Sequence, residues 1–274
     1  MMMKIKYSLI VVLLLLISAC ATSPTGRSQL MLVSEETAIH ASKDAYVQML
    51  QPLRDAGKID TDPAVTKRVD EITERLIAQA IIMRPDTANW DWQMEVIDEP
   101  EVVNAWAMAG GKMAVYTGLI KQVEPTDSEL AQVLGHEISH ALANHQAEKM
   151  SMGILTSAAV VAAGIASDKP ALAMTGAALA ASLAITKPNS RTAESEADRI
   201  GVELAAKAGY DPRAAVTLWQ KMAEVSGEGP PEFLSTHPAP SNRSATLEGL
   251  IPEMLPYYEQ ALLDKNLPTY NLTN

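Results

Sequence analysis

One motif restricts this chain more than any other feature: His136-Glu137-x-x-His140, within the segment AQVLGHEISHALANH. At about 100° per residue, the two histidines lie about 40° apart on one helix face, so two imidazoles reach a single ion. Glu137 stands close enough to hold a water beside that ion. The spacing predicts a catalytic zinc site on a helix; the alternative is a surface helix with unrelated polar residues.

Capping signals and hydrophobic periodicity predict the elements around the motif. Thr126-Asp127-Ser128-Glu129 is a capping box, and we expect the helix that it opens to run to about Met150. Other helices are expected from Ser34 and from Asp62-Pro63. Three strand-like segments, WDWQMEVI, VVNAWAM and KMAVYTG, lie between these helices and the motif helix, and the glycine turn Ala109-Gly110-Gly111 suits a hairpin.

A catalytic zinc needs a third protein ligand and an open coordination position. His145 is the next histidine, but on a continuous helix it points about 140° away from His140, which places it outside the ligand set, as a solvated residue or one that supports a ligand near the helix end. Downstream, SRTAESEADRIGVELAAKAG predicts a helix that carries Glu194 and Asp198 four residues apart. Glu194 can bind the metal, while Asp198 can accept the free N–H of a ligand histidine and fix its tautomer.

Taken together, these motifs resemble the gluzincin metallopeptidases of the HtpX and CAAX-prenyl-endopeptidase type, and most closely the BepA-like periplasmic lipoprotein proteases. The resemblance implies an α+β, mainly helical, zincin-like domain with a small antiparallel sheet. It also implies one zinc ion bound by His136, His140 and Glu194, with Glu137 as general base and Asp198 as orienting residue. The matching segments are HEISH, ESEAD, VNAWAMAGGKMAVYTGLI, AGYDP and THPAPSNR.

Two residues near the C-terminus and one strand carry further predicted roles. His237, in FLSTHPAPSNR, can act as proton donor, oxyanion stabiliser or fourth ligand. The resemblance implies that this histidine closes over the zinc and restrains the enzyme. Arg243 either stabilises the oxyanion or caps the C-terminal helix. The resemblance also implies an edge strand that pairs with substrate backbone, an interior strand being the alternative. That strand consists of Asn104, Ala105, Trp106, Ala107 and Met108.

The first residues predict export of the chain. Lys4 and Lys6 precede an apolar run that is too short to span a membrane, so a cleavable signal peptide is indicated. Ile17-Ser18-Ala19-Cys20 resembles the lipobox of bacterial lipoproteins; the alternative is an ordinary signal peptide with an unused cysteine. For a Gram-negative host, the resemblance to lipoproteins implies sorting to the outer membrane, because Ala21 is not the aspartate that retains such proteins at the inner membrane. The predicted organisation is a signal peptide at 1–19, a lipidated N-terminus and tether at 20–33, and a metallopeptidase domain at 34–274.

Two uncharged segments lie between the motif helix and the expected third ligand, within residues 150–187. Their sequences are MSMGILTSAAVVAAGIAS and PALAMTGAALAASLAIT. Both consist mainly of alanine, glycine and small polar residues, which insert into membranes poorly. We favour two packed helices near the cleft, contacting the membrane or plugging the site, over a transmembrane hairpin.

These features predict a zinc endopeptidase on the periplasmic side of the outer membrane, held there by its lipid. Polypeptides are the expected substrates: the resemblance implies unfolded or misassembled envelope proteins, with the outer-membrane assembly machinery as partner. A net charge of −11 disfavours nucleic acid as a partner. The alternatives are a chaperone or assembly factor with little proteolytic turnover, and a lipoprotein with a purely structural zinc.

Overall fold

A computed structural model describes residues 20–166, 190–225, 232–237 and 243–272 of the chain. The mainly helical α+β class is confirmed. The helices are α1 (Glu35–Asp55), α2 (Pro63–Met83), α3 (Thr117–Val123), α4 (Asp127–Leu142), α5 (His145–Ala166), α6 (Arg191–Lys207), α7 (Ala214–Glu224), α8 (Glu232–Thr236) and α9 (Arg243–Leu263). The strands are β1 (Cys20–Thr22), β2 (Ser28–Leu30), β3 (Gln93–Ile97), β4 (Ala105–Met108) and β5 (Lys112–Tyr116).

The described residues form two compact units, one made of 20–38 and 146–166, the other of 39–145, 190–225, 232–237 and 243–272. The predicted signal peptide and the second apolar segment, PALAMTGAALAASLAIT, lie outside the described residues. Residues 150–166 of the first apolar segment belong to α5. No helix in the described part of the chain combines the length and hydropathy needed to cross a membrane.

The first unit joins the β1–β2 hairpin to α5. The hairpin is antiparallel and lies within the segment predicted as a tether. Arg27 donates two hydrogen bonds of 2.7 Å, one to each carboxylate oxygen of Glu148 on α5. Gln29 donates a third bond to Glu148, and the backbone N–H of Val33 donates to Ser151 Oγ at 2.9 Å. These bonds attach the chain near Cys20 to the first turns of α5.

The second unit contains a three-stranded sheet in the order β3-β5-β4. β4 and β5 form the predicted antiparallel hairpin, in which Gly110 and Gly111 both have φ of +81°. A Cβ on Gly111 would meet Trp92 at 2.5 Å, so both the turn and the packing require glycine there. β3 pairs with β5 in parallel, so the sheet is mixed and the prediction of an antiparallel sheet was wrong for this strand pair. β4 lies at the edge of the sheet.

The motif helix α4 is the central element of the second unit and is buried along almost its whole length. Its N-terminus has the predicted capping box, because Thr126 and Glu129 each bond to the other's backbone N–H. α4 crosses α6 where Gly135 meets Gly201. A Cβ on Gly201 would lie 2.8 Å from the backbone nitrogen of His136. The two glycines therefore permit the backbones of the two helices to come into contact.

The motif helix ends earlier than the sequence suggested. We expected it to reach Met150, but α4 ends at Leu142 and α5 begins at His145. Asn144 between them has φ of +54°, a left-handed conformation that asparagine tolerates better than most residues. Arg84 Nη1 donates to the carbonyl oxygen of Leu142 at 2.8 Å and satisfies a helix-end acceptor. This break redirects His145 relative to a continuous helix.

Candidate active site

Four buried side chains from three parts of the chain converge on one point. His136 and His140 come from α4, Glu194 from α6, and His237 from the residue that follows α8. One ligand atom of each lies within 4.8 Å of those of the other three. His136 Nε2 lies 3.1 Å from His140 Nε2 and 3.3 Å from a Glu194 oxygen. The predicted ligand set is thus assembled in space, and His237 joins it.

His237 lies between the predicted ligands and the predicted general base. Its Nδ1 is 3.2 Å from Glu194 Oε1 and 3.3 Å from His136 Nε2, while its Nε2 is 3.5 Å from Glu137 Oε1. The ring stacks on Phe233 with 4.6 Å between centroids. Of the roles considered for His237, this position fits a fourth ligand, and it also fits a proton carrier beside Glu137.

The donor set fits zinc. Two imidazole nitrogens and a carboxylate oxygen are the ligands of a catalytic zinc site. Glu137 Oε1 is buried and makes no hydrogen bond, and Glu194 Oε2 is buried 3.3 Å from His136 Nε2, so the cluster contains carboxylate acceptors that a cation would satisfy.

The pKa shifts of two of the predicted ligands, His140 and Glu194, suit metal binding. Burial and the neighbouring His136 hold the pKa of His140 well below its usual value. Burial raises the pKa of Glu194, but hydrogen bonds with His136 and His237 outweigh it and lower the pKa far below its ordinary value. A neutral His140 and an ionised Glu194 are the forms that bind zinc.

The pKa values of two other groups in the site, His136 and Glu137, are raised. Burial disfavours a charged His136, yet hydrogen bonds with Asp198 and Glu194 raise its pKa to about 9. Burial also raises the pKa of Glu137, against the lowering effect of His237 and His136. A carboxyl group with a raised pKa is suited to taking up and returning a proton near neutral pH.

Asp198 occupies the position predicted for an orienting residue. Its Oδ1 lies 3.0 Å from His136 Nδ1 and also accepts a hydrogen bond from Arg243 Nη2. The Arg243 guanidinium stacks on Trp219, 3.4 Å from the ring centroid, and approaches Glu194 at 3.9 Å. Arg243 is the first residue of α9, but its buried side chain contacts the metal-site acids. The structure therefore places Arg243 beside Asp198. Its role as an oxyanion stabiliser stays a prediction.

Sequence reasoning missed one connected pair. His145 Nδ1 lies 2.8 Å from His140 Nδ1, and His145 Nε2 lies 3.0 Å from Glu196 Oε2. All three side chains are buried. Two sequence features could have indicated this pair. Glu196 is the middle acid of ESEAD and has no acid four residues further along the helix, and His145 follows His140 by five residues. His145 stays outside the metal-ligand group, as predicted, although the continuous helix assumed for that argument was wrong.

The predicted substrate strand lies next to the general base. The backbone of Ala107 makes a hydrogen bond that lowers the pKa of Glu137. Ala105 N–H donates to the side chain of Asn104, and Tyr116 N–H donates to its carbonyl oxygen. Among the described strands, only β5 pairs with β4, so the edge position is confirmed and the contact with substrate stays a prediction.

The helical zincin fold and the His-His-Glu donor set define a class of protein, the zinc metallopeptidases. The profile of Peptidase family M48 matches residues 63–251. The chain therefore belongs to peptidase family M48, whose members depend on zinc.

Curated relatives are consistent with this family. "Metalloendopeptidase OMA1, mitochondrial" of Bos taurus is 35% identical over 248 residues, covering 84% of this chain and 46% of the relative. The Arabidopsis thaliana protein "Mitochondrial metalloendopeptidase OMA1" is 40% identical over 156 residues, 57% of this chain and 31% of the relative. "Beta-barrel assembly-enhancing protease" of Escherichia coli strain K12 is 30% identical over 232 residues, covering 81% and 45% respectively. The chain thus spans about half the length of most of these relatives.

Proposed function

We propose that this chain is a zinc-dependent endopeptidase that hydrolyses peptide bonds in extended polypeptides. The observation that carries the proposal is the position of Glu137, a buried carboxylate with a free oxygen beside a cluster of two histidines and a glutamate. The names of the relatives and membership of family M48 support the same activity.

In the proposed reaction, His136, His140 and Glu194 hold the metal. Bound zinc supplies Lewis-acid polarisation of the scissile carbonyl and of the attacking water. Glu137 takes the proton of that water and returns it to the leaving amine. β4, which pairs only with β5 among the described strands, would align the substrate backbone next to Glu137.

We further propose that His237 restrains this activity. The ring fills the space between Glu137 and Glu194, with contacts of 3.5 and 3.2 Å. A substrate carbonyl and its water need that space, so His237 must leave before hydrolysis. Removal of the ring should therefore raise the rate of cleavage.

The location and the substrate class are also proposed. The lipobox-like Ile17-Ser18-Ala19-Cys20 supports a lipid anchor, and Ala21 supports sorting to the periplasmic face of the outer membrane. The name of the Escherichia coli relative supports misassembled outer-membrane proteins as substrates and their assembly machinery as partner. The bovine and Arabidopsis relatives are named as mitochondrial, so the location rests on the sequence of this chain's own N-terminus.

The test is zinc content and casein cleavage by the purified full-length chain, beside variants at Glu137 and His237. We expect one zinc per chain, loss of cleavage in Glu137→Gln with zinc retained, and faster cleavage in His237→Ala. Glu129→Gln is the matched control, because Glu129 is equally buried on α4 but bonds to Lys221 and Thr217. It should keep both zinc and activity, even if it is less stable.

A second function is favoured by the same His237 contact. A chain whose cleft stays closed would bind polypeptides with little turnover, as a chaperone or assembly factor does. Zinc without cleavage in the wild type and in His237→Ala would support this binding role over the protease. A chain without zinc in any form would contradict the protease and the predicted zinc site.

A further inference from the structure

A buried histidine–carboxylate pair lies directly behind one predicted zinc ligand and has no part in the proposed mechanism. We call it the Glu196–His145 pair. His145 is 3% exposed and Glu196 is 6% exposed. His145 contacts His140 through Nδ1 at 2.8 Å and Glu196 through Nε2 at 3.0 Å. Both ring nitrogens of His145 are thus engaged, one on each side.

When both imidazoles are neutral, the hydrogen-bond chemistry of Glu196, His145 and His140 allows one consistent placement of protons. As a carboxylate, Glu196 only accepts, so His145 carries its proton on Nε2 and presents a lone pair on Nδ1. His140 must then donate from its own Nδ1, which leaves a lone pair on Nε2. That is the His140 atom that faces His136 Nε2 at 3.1 Å and Glu194 Oε1 at 3.5 Å.

We propose that His145 and Glu196 are positioning residues, which fix the tautomer and ring orientation of His140 for zinc binding. Asp198 orients His136 by direct contact at 3.0 Å. Glu196 orients His140 indirectly, through the imidazole of His145 that lies between them. A carboxylate behind a metal-bound histidine both orients the ring and raises the basicity of the ligand atom. The inference rests on the zinc site proposed above.

The backbone explains why the two histidines are supported differently. Asp198 and Glu196 both belong to α6, the helix that also supplies Glu194. Asp198 reaches His136 directly, whereas a histidine spans the distance from Glu196 to His140. The break at Asn144 allows this, because a continuous helix would direct His145 away from His140. One helix thereby supplies a predicted ligand and the anchors for both ligand histidines.

The test is zinc affinity, measured on the full-length chain by competition with a chromophoric chelator. We expect Glu196→Gln and His145→Leu each to weaken zinc binding by about tenfold or more. His145→Asn should keep part of the affinity, since the asparagine oxygen can take the place of Nδ1 as acceptor. The absorption spectrum of the cobalt-substituted protein should shift in His145→Leu, because the orientation of His140 is no longer fixed.

The double variant His145→Leu/Glu196→Gln separates this role from general destabilisation. If Glu196 acts through His145, the double variant should bind zinc as tightly as His145→Leu alone, with no added loss. Glu129→Gln is the control for a buried acid outside the pair and should keep wild-type affinity. Should His145→Leu fail to fold, Glu196→Gln and His145→Asn still decide the question.

Wild-type zinc affinity in Glu196→Gln and His145→Asn, with an unchanged cobalt spectrum, would overturn the pair's role. Fully additive losses in the double variant would also overturn it, since Glu196 would then act independently of His145. His140→Ala distinguishes this failure from failure of the zinc site itself. If His140→Ala abolishes zinc binding while the pair variants do not affect it, the zinc site is supported and only the positioning role is contradicted.

Discussion

At the scale of single residues, Arg243 is a buried cation whose contribution to stability depends on the groups that it contacts. Its side chain is 3% exposed, bonds to Asp198 and stacks on Trp219. Arg243→Met would remove the guanidinium from the buried Asp198 carboxylate and leave it the imidazole of His136, and we expect the free energy of unfolding to fall by about 3–5 kcal/mol. Denaturant unfolding of the zinc-free chain measures the change.

The control for Arg243 is an arginine in an exposed pair. Arg199 bonds to Glu253, and the two side chains are 42% and 51% exposed. Water screens such a pair, so Arg199→Met should change stability little. Equal losses in the two variants would show that burial of the Arg243–Asp198 pair adds nothing to stability.

The sequence alone was sufficient to predict those site residues that lie a few positions apart on the same helix. His136 and His140 share a helix face, and Glu194 and Asp198 are four residues apart, so helix geometry was sufficient to relate them. The Glu196–His145 pair could not be found in this way. Its geometry depends on a left-handed Asn144, and neither Ala143 nor Asn144 is a strong helix breaker in sequence.

At the scale of elements, the crossing of α4 and α6 sets the distance between the predicted ligands. A Cβ on Gly201 would lie 2.8 Å from His136 N and 2.9 Å from its Cα, both rigid backbone atoms. Gly201→Ala should therefore separate the helices, lowering the free energy of unfolding by about 1–3 kcal/mol. It should also weaken zinc binding, because Glu194 on α6 moves relative to His136 on α4.

Gly249 provides the matched control within the chain. It is also a helical glycine, on α9, but nothing lies within 4 Å of the position that its Cβ would take. Gly249→Ala should stabilise the chain by about 0.5–1 kcal/mol through helix propensity alone, with zinc affinity unchanged. If Gly201→Ala behaved in the same way, the close crossing of α4 and α6 would not constrain the site.

The elements themselves were predictable where a local chemical signal marks them. Asp62 caps α2 and Thr126 caps α4, as their sequences indicate. The parallel pairing of β3 with β5 has no such signal, since it depends on contacts between segments that no turn connects. The hairpin at Gly110-Gly111 was predictable, because its turn determines the direction of β4 and β5.

At the scale of the whole molecule, the distance between the proposed lipid and the folded chain is short. β1 begins at Cys20, and the hairpin that it forms is attached to α5 through Arg27 and Glu148. Little flexible chain then separates a lipid on Cys20 from the first unit. A long tether would let the molecule move away from the membrane, whereas this arrangement would hold the first unit close to the lipid surface.

The proposed lipid anchor leads to the last prediction. Expressed in a Gram-negative host with residues 1–19 replaced by an ordinary signal peptide whose cleavage does not require cysteine, Cys20→Ser should move the chain from the membrane fraction to the soluble periplasmic fraction, because the thioether-linked lipid site is lost. Its zinc content and its cleavage of casein should stay at wild-type levels, since Cys20 lies in the hairpin of the first unit, outside the ligand cluster. Ala21→Asp is the control and should keep the chain lipidated but shift it from the outer to the inner membrane. A Cys20→Ser chain that stays in the membrane fraction would contradict the anchor and would direct attention to α5, where Met152, Ile154 and Leu155 are exposed.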